Sequence, residues 1–98
     1  MTPPNASSDG ALFIDVRSPG EYQQGHLEGA LNLPLDQLPQ RIVQEAPERS
    51  RELVLYCASG TRSAFGCAML EKLGYTQARN GGGIGTLALT SGRALRRA

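Results

Sequence analysis

The chain has 98 residues, ten lysines and arginines against nine aspartates and glutamates, and a formal charge of +1. That leaves room for one modest core and no global field to draw it to nucleic acid or a membrane surface. No apolar stretch approaches the roughly 20 residues a spanning helix needs, so a soluble domain is expected, with neither nucleic acid nor membrane as partner. Two cysteines and a single histidine make neither a disulfide framework nor a four-ligand metal site, so free thiols and no metal are expected.

Met1 to Gly10 is polar, with two prolines and two serines, and is expected as a disordered leader, leaving residues 11–98 as a single domain. It lacks the basic start and apolar centre of an export signal, so the cytoplasm is the expected compartment if Met1 is the native start. Ala11-Leu12-Phe13-Ile14 is a compact apolar run closed by Asp15 and reads as a strand. Ser18-Pro19-Gly20-Glu21 then starts a short helix, with Ser18 as cap and Pro19 at the first helical position. Gly25 to Ala30 reads as a loop, and Leu31 to Leu33 as a brief strand that Pro34 ends. Leu35, Leu38, Ile42 and Val43 recur at helical spacing until Pro47.

After a charged surface loop, Glu48 to Glu52, the run Leu53-Val54-Leu55-Tyr56 is the clearest central strand. A helix from about Ser63 to Leu73 follows, with Gly74 at a left-handed cap. Most of its circumference is expected to be buried, because Glu71-Lys72 is its only charged pair after the first turn. Tyr75 to Arg79 is expected as the last strand, Asn80-Gly81-Gly82-Gly83 as a turn, and Ile84 to Thr90 as a short terminal helix. Arg93, Arg96 and Arg97 are expected to form a frayed, solvated end. Strands alternating with helices imply an α/β fold: a small open parallel sheet of about four strands, with right-handed crossovers and helices on both faces.

Asp15 and Cys57 both end apolar runs, so both should lie on the carboxyl edge of that sheet, where ligands gather, with Gly81 to Gly83 arriving beside them. Cys57 leads a six-residue loop, Cys57-Ala58-Ser59-Gly60-Thr61-Arg62, too short to do anything but curl before the helix near Ser63. Such a curl turns successive N–H groups inward. Those amides, the helix start and the full charge of Arg62 should stabilise an anion and lower the thiol below its usual pKa of ~8.5. The combination suits a thiolate nucleophile that meets an anionic substrate or carries an anionic adduct.

No base accompanies the thiol. His26 reads as a local hydrogen-bonding residue in a glycine-rich turn, which argues against amide hydrolysis and leaves sulfur transfer or phosphate-ester hydrolysis. Cys67 falls on a helix stripe with Gly66, Leu70 and Leu73 and is expected in the core. Asp15 is expected to accept hydrogen bonds from the active loop or to pair with an arginine. Arg17 is expected to brace Glu21 across the turn, an ion pair worth little if exposed.

The segments Phe13 to Tyr22, Gly25 to Pro34, Tyr56 to Ser63 and Asn80 to Ile84, in that order, resemble the successive motifs of rhodanese domains. The likeness runs from about Ala11 to Leu89 and is nearest to the small phage-shock type. It implies a rhodanese-like fold and a sulfurtransferase whose Cys57 becomes a persulfide. It also implies that Ala58, Ser59, Gly60, Thr61, Arg62 and Ser63 hold substrate and persulfide, with Asp15 at the pocket floor, and that no metal or organic cofactor is needed. The partners implied are a small anionic sulfur donor such as thiosulfate, a thiophilic acceptor such as cyanide or a thiol, and a sulfur-relay protein; a monomer is expected. Members of the phage-shock subgroup are often exported, which makes the periplasm, with a signal peptide removed, the alternative compartment.

Two rival readings stand beside this one. A persulfide carrier for a partner desulfurase would show little turnover on small donors. The related phosphatases of the cell-cycle type have one more residue between cysteine and arginine, so the Cys-x4-Arg spacing here is the sulfur-sized version. The chain also departs from the family pattern. Many single-domain relatives carry an extra strand and helix before the Asp-x-Arg motif, which implies a shortened sheet edge. Leu87 stands where an aromatic residue is common. Glu21 aligns with an anion-binding arginine of two-domain relatives, which implies weaker thiosulfate binding.

Overall fold

The computed structural model describes residues 10–97, so the expected leader lies, apart from Gly10, outside the described residues. In chain order the elements are β1 (Leu12–Asp15), α1 (Pro19–Gln24), β2 (His26–Leu27), β3 (Leu31–Asn32), α2 (Leu38–Glu45), β4 (Leu53–Cys57), α3 (Thr61–Lys72), β5 (Ala78–Gly83), α4 (Ile84–Ser91) and β6 (Leu95–Arg96). Strands β3, β1, β4 and β5 lie side by side in that order, and every pairing is parallel. The expected four-strand parallel sheet is therefore present.

The alternation of side chains along a strand divides the core in two. Leu53, Leu55 and Cys57 of β4 point to one face, where they pack with Ile14, Leu38, Ile42 and Leu70. Val54 and Tyr56 point to the other, with Phe13, Leu27 and Leu87. Helices α2 and α3 thus cover one face and α4 the other, as a parallel sheet requires. Leu53, Leu55 and Tyr56 are wholly buried, each large apolar side chain contributing roughly 1.5–3 kcal/mol by leaving water.

Helix α1 begins as its sequence dictates. The Ser18 hydroxyl accepts from the Glu21 N–H, the Glu21 carboxylate accepts from the Ser18 N–H, and Pro19 occupies the first turn. This reciprocal cap satisfies two N–H groups that a helix start otherwise leaves bare. Gly74 takes the left-handed conformation after α3, with φ of 94°.

Several expectations need correction. The last strand is Ala78–Gly83 rather than Tyr75 to Arg79, so the glycines expected to form a turn are themselves strand. Tyr75 is instead a buried plug whose hydroxyl donates to the Ala46 carbonyl at 2.6 Å, closing the end of α2. Glycine is a poor strand former, but a Cβ on Gly81 would stand 2.8 Å from Leu87 and 2.9 Å from Val54, so packing against α4 overrides propensity. Helix α3 starts at Thr61, not Ser63, and buries only one stripe, Ser63, Gly66 and Leu70, while Phe65 is 62% exposed.

Val43, expected on the buried stripe of α2, is exposed as well. The end expected to fray is tied down: Leu95 and Arg96 pair antiparallel with Leu27 and His26 in the segment read as a loop. There the Arg93 guanidinium lies 3.8 Å from the centre of the Phe13 ring and donates to the Glu28 carbonyl at 2.8 Å. Arg96 sits 3.3 Å from the Glu28 carboxylate. Two-residue strand pairs carry too little pattern to be read from sequence.

Candidate active site

Strand β4 delivers Cys57 to the carboxyl edge of the sheet, opposite Gly83 of β5 and one residue beyond the Asp15–Tyr56 pairing. The chain then turns through Ala58, Ser59 and Gly60 into α3. Gly60 adopts φ of 98°, a left-handed conformation that residues with a Cβ resist, and this aims its N–H at Cys57 Sγ, 2.9 Å away. The Ser63 hydroxyl lies 3.5 Å from the same sulfur. Burial pushes the thiol up, but the Ser63 hydroxyl and the amides of Ser63, Ser59 and Gly60 outweigh it and bring the pKa down to about 7. The nest of amides expected of a short curl at a helix start is present, and it favours the thiolate.

Arg62 acts differently from expectation. Its guanidinium turns toward α1 and grips Glu21 in a two-pronged pair, Nη1 to Oε1 at 2.8 Å and Nη2 to Oε2 at 3.0 Å. The hydrogen bonds from Arg62 hold the Glu21 carboxyl down at about 2, so the pair is intact wherever Cys57 titrates. Most of the charge assigned to the sulfur is thereby neutralised next to the loop.

Arg17 does not brace Glu21. Its Nε and Nη2 bind the Asp15 carboxylate at 2.9 and 2.7 Å, its own N–H binds Asp15 Oδ1 at 2.9 Å, and Nη2 also donates to the Gly25 carbonyl. Asp15 is fully buried and Arg17 nearly so. Asn32 clasps the carbonyls of both from the next strand, at 3.0 Å each. Of the two expected roles for Asp15, pairing with an arginine is the one realised; its side-chain bonds go to Arg17 and not to the Cys57 loop. The pair is a buried brace between β1 and the start of β2.

His26 packs its ring on Tyr22 with centroids 3.7 Å apart, and its Nδ1 lies 2.8 Å from the Tyr22 carbonyl. That is the local structural role its surroundings suggested. Cys67 is only partly buried but packs against the core, and burial pushes its thiol up. Among the described residues no cluster of His, Cys, Asp and Glu could hold a metal ion, and no helix is long and apolar enough to cross a membrane.

Asn80, expected in a turn, touches the loop twice, through Ser63 and through the Gly60 carbonyl. An irregularity in the β4–β5 register places it there: Leu55 faces Asn80, whereas the next residue, Tyr56, faces Gly82. Bulges of this kind re-aim side chains beside reactive edges. The only sequence sign was a polar amide immediately before three glycines. Phe65, Ala64 and Thr61 of α3 form an apolar shelf beside the same loop.

A cysteine surrounded by amides at a helix start, at the carboxyl edge of a four-strand parallel sheet and followed by Cys-x4-Arg spacing, has the setting of a nucleophile, and among the described residues no base is hydrogen-bonded to it. The chain belongs to the rhodanese-like domain family, whose profile matches residues 5–84. It is 38% identical over 77 residues to the thiosulfate sulfurtransferase PspE of Escherichia coli, covering 79% of this chain and 74% of that protein. It is also 41% identical over 75 residues to a sulfurtransferase of Allochromatium vinosum, covering 76% and 68%. A solved structure of a rhodanese with anions from E. coli matches with a TM-score of 0.83 at 33% identity, over 90% of this chain and 99% of that one.

Proposed function

We propose that this protein is a thiosulfate sulfurtransferase working by double displacement through a Cys57 persulfide. The Gly60 N–H, 2.9 Å from Sγ, carries the reading, because it fixes a preformed donor on the sulfur where negative charge must reside before and after transfer. In the first step the thiolate attacks the outer sulfur of thiosulfate. The Sγ–S bond forms, the S–S bond of thiosulfate breaks, and its electron pair leaves with sulfite. In the second step cyanide or a thiolate attacks the terminal sulfur, and the pair of the Sγ–S bond returns to Cys57. Sulfur moves as a neutral atom between nucleophiles, so the cycle calls on neither a metal nor an organic cofactor. The catalytic group is Cys57, and Ala58 to Ser63 form the cradle.

A second reading is supported by two features of the site. Arg62 is engaged by Glu21, which leaves a small anionic donor mainly amides to bind, and the exposed Phe65 offers an apolar contact for a protein. Both suit a persulfide carrier loaded by a partner desulfurase. Phosphatase activity would show as hydrolysis of an aryl phosphate, which is not expected.

Two measurements separate these readings. Cys57→Ser should abolish thiocyanate formation from thiosulfate and cyanide; a variant keeping most of the rate would overturn the reading. Intact-mass analysis should show one added sulfur after thiosulfate alone on the wild type and none on Cys57→Ser. Loading that occurs only with a desulfurase present would make the carrier the correct account.

A further inference from the structure

Asn80 makes three hydrogen bonds at the reactive edge. Its Oδ1 accepts from the Ser63 hydroxyl at 2.6 Å and from the Gly82 N–H at 2.9 Å, and its Nδ2 donates to the Gly60 carbonyl at 3.0 Å. The backbone fixes the amide's orientation, since an N–H can meet only Oδ1 and a carbonyl only Nδ2. The Ser63 hydroxyl has a single proton, and at this distance from an acceptor-only oxygen the proton points to Asn80. A lone pair then faces Cys57 Sγ, 3.5 Å away. In this arrangement Ser63 accepts the resting S–H, and its own proton can serve a thiolate only by turning away from Asn80.

We propose that Asn80 is a positioning residue for Cys57 that acts through Ser63, competing for the hydroxyl proton so that it reaches the sulfur only when the thiolate forms. On ionisation the S–H proton leaves to solvent and the Ser63 O–H rotates from Asn80 to the sulfur. Asn80 Oδ1 retains the Gly82 N–H, so no acceptor is orphaned by the exchange. The charged groups around this end of the sheet are already matched: Arg62 of α3 with Glu21 of α1, and Asp15 of β1 with Arg17. The hydroxyl is thus the donor free to move as the sulfur changes charge.

The proposal rests on Cys57 as the reacting thiol, and alkylation and turnover are read separately to keep the two apart. In a Cys67→Ala background, iodoacetamide alkylation of Cys57 is followed against pH, with thermal melts to establish folding. Asn80→Ala should lower the midpoint by about half a unit, quickening alkylation below it about threefold, because Ser63 is freed to serve the thiolate. An Asn80 that merely supported the loop would give the opposite sign, since loosening Gly60 withdraws an N–H from the sulfur. A midpoint that stays or rises in folded Asn80→Ala overturns the proposal. So does an equal lowering when Ser63→Ala is also present, since the influence would then bypass the hydroxyl. Should Asn80→Ala not fold, Asn80→Asp carries the test: a stronger acceptor for the same proton should raise the midpoint by about a unit, and no rise overturns the idea. Loss of sulfur transfer with these shifts intact would count against the sulfurtransferase reading alone.

Discussion

At Cys57 two opposing effects meet, burial that favours the neutral thiol and a ring of donors that favours the thiolate, and the donors prevail. The side chain that would have strengthened them most, Arg62, is held by Glu21 instead. Both members are more than a third exposed, so the pair adds little to stability, about 0–1 kcal/mol, and its consequence lies in the charge presented to a substrate. Glu21→Gln keeps the Oε1 that caps Ser18 and accepts from Arg62 Nη1, but removes the negative charge and the second bond, to Nη2, that occupy Arg62. It should lower the KM for thiosulfate about fivefold with kcat little changed, equivalent to about 1 kcal/mol of binding. Steady-state rates over a range of thiosulfate concentrations check this, and an unchanged KM would show that Arg62 does not reach the donor once freed.

At the level of elements, the position of α3 decides where the thiolate loop ends, and that position depends on one contact. A Cβ on Gly66 would come within 2.7 Å of Leu55 Cδ2 and 3.1 Å of Leu38 Cδ2, both on wholly buried side chains. Those leucines are clamped between sheet and helices, so neither can yield freely. Gly66→Ala is expected to cost about 1–3 kcal/mol through overpacking, despite alanine's better helix propensity. Denaturant melts measure it; a stabilised variant would show that α3 can ride outward without loss. Strand β5 depends on the same kind of intimacy. Gly83 and Gly81 bring the backbone close enough to Ala58 and Leu87 that no side chain fits, and Gly82 takes a φ of 87° that residues with a Cβ resist, which is why a stretch with turn composition lies in the sheet.

For the molecule as a whole, the sheet is closed by helices on both faces and its chain end is fastened by the β2–β6 ribbon. Arg93 bridges that ribbon to the core, over the Phe13 ring and onto the Glu28 carbonyl. Arg93→Ala should therefore cost about 1–2 kcal/mol. In a domain of this size that corresponds to a fall in Tm of roughly 4–16 °C, while the pH profile of Cys57 alkylation stays in place. A calorimetric scan reads the first and iodoacetamide the second; a shifted alkylation midpoint would mean that the ribbon communicates with the reactive edge.

The sequence by itself determined the α/β alternation, the capped start of α1, the buried β4 and the place of Cys57 and its loop at the end of that strand. Each is written in signals a few residues long: an apolar run, a Ser-Pro-Gly-Glu start, a cysteine at the junction of strand and helix. Tertiary structure alone decided the partners. Arg17 binds Asp15 and not Glu21, Arg62 pairs with Glu21, and Asn80 reaches Ser63 across a bulge, because ion pairs and side-chain hydrogen bonds follow distances that the fold creates and sequence spacing does not encode. The same limit explains the glycine strand and the tethered chain end, where packing and a two-residue pairing override the local preference for turn and coil.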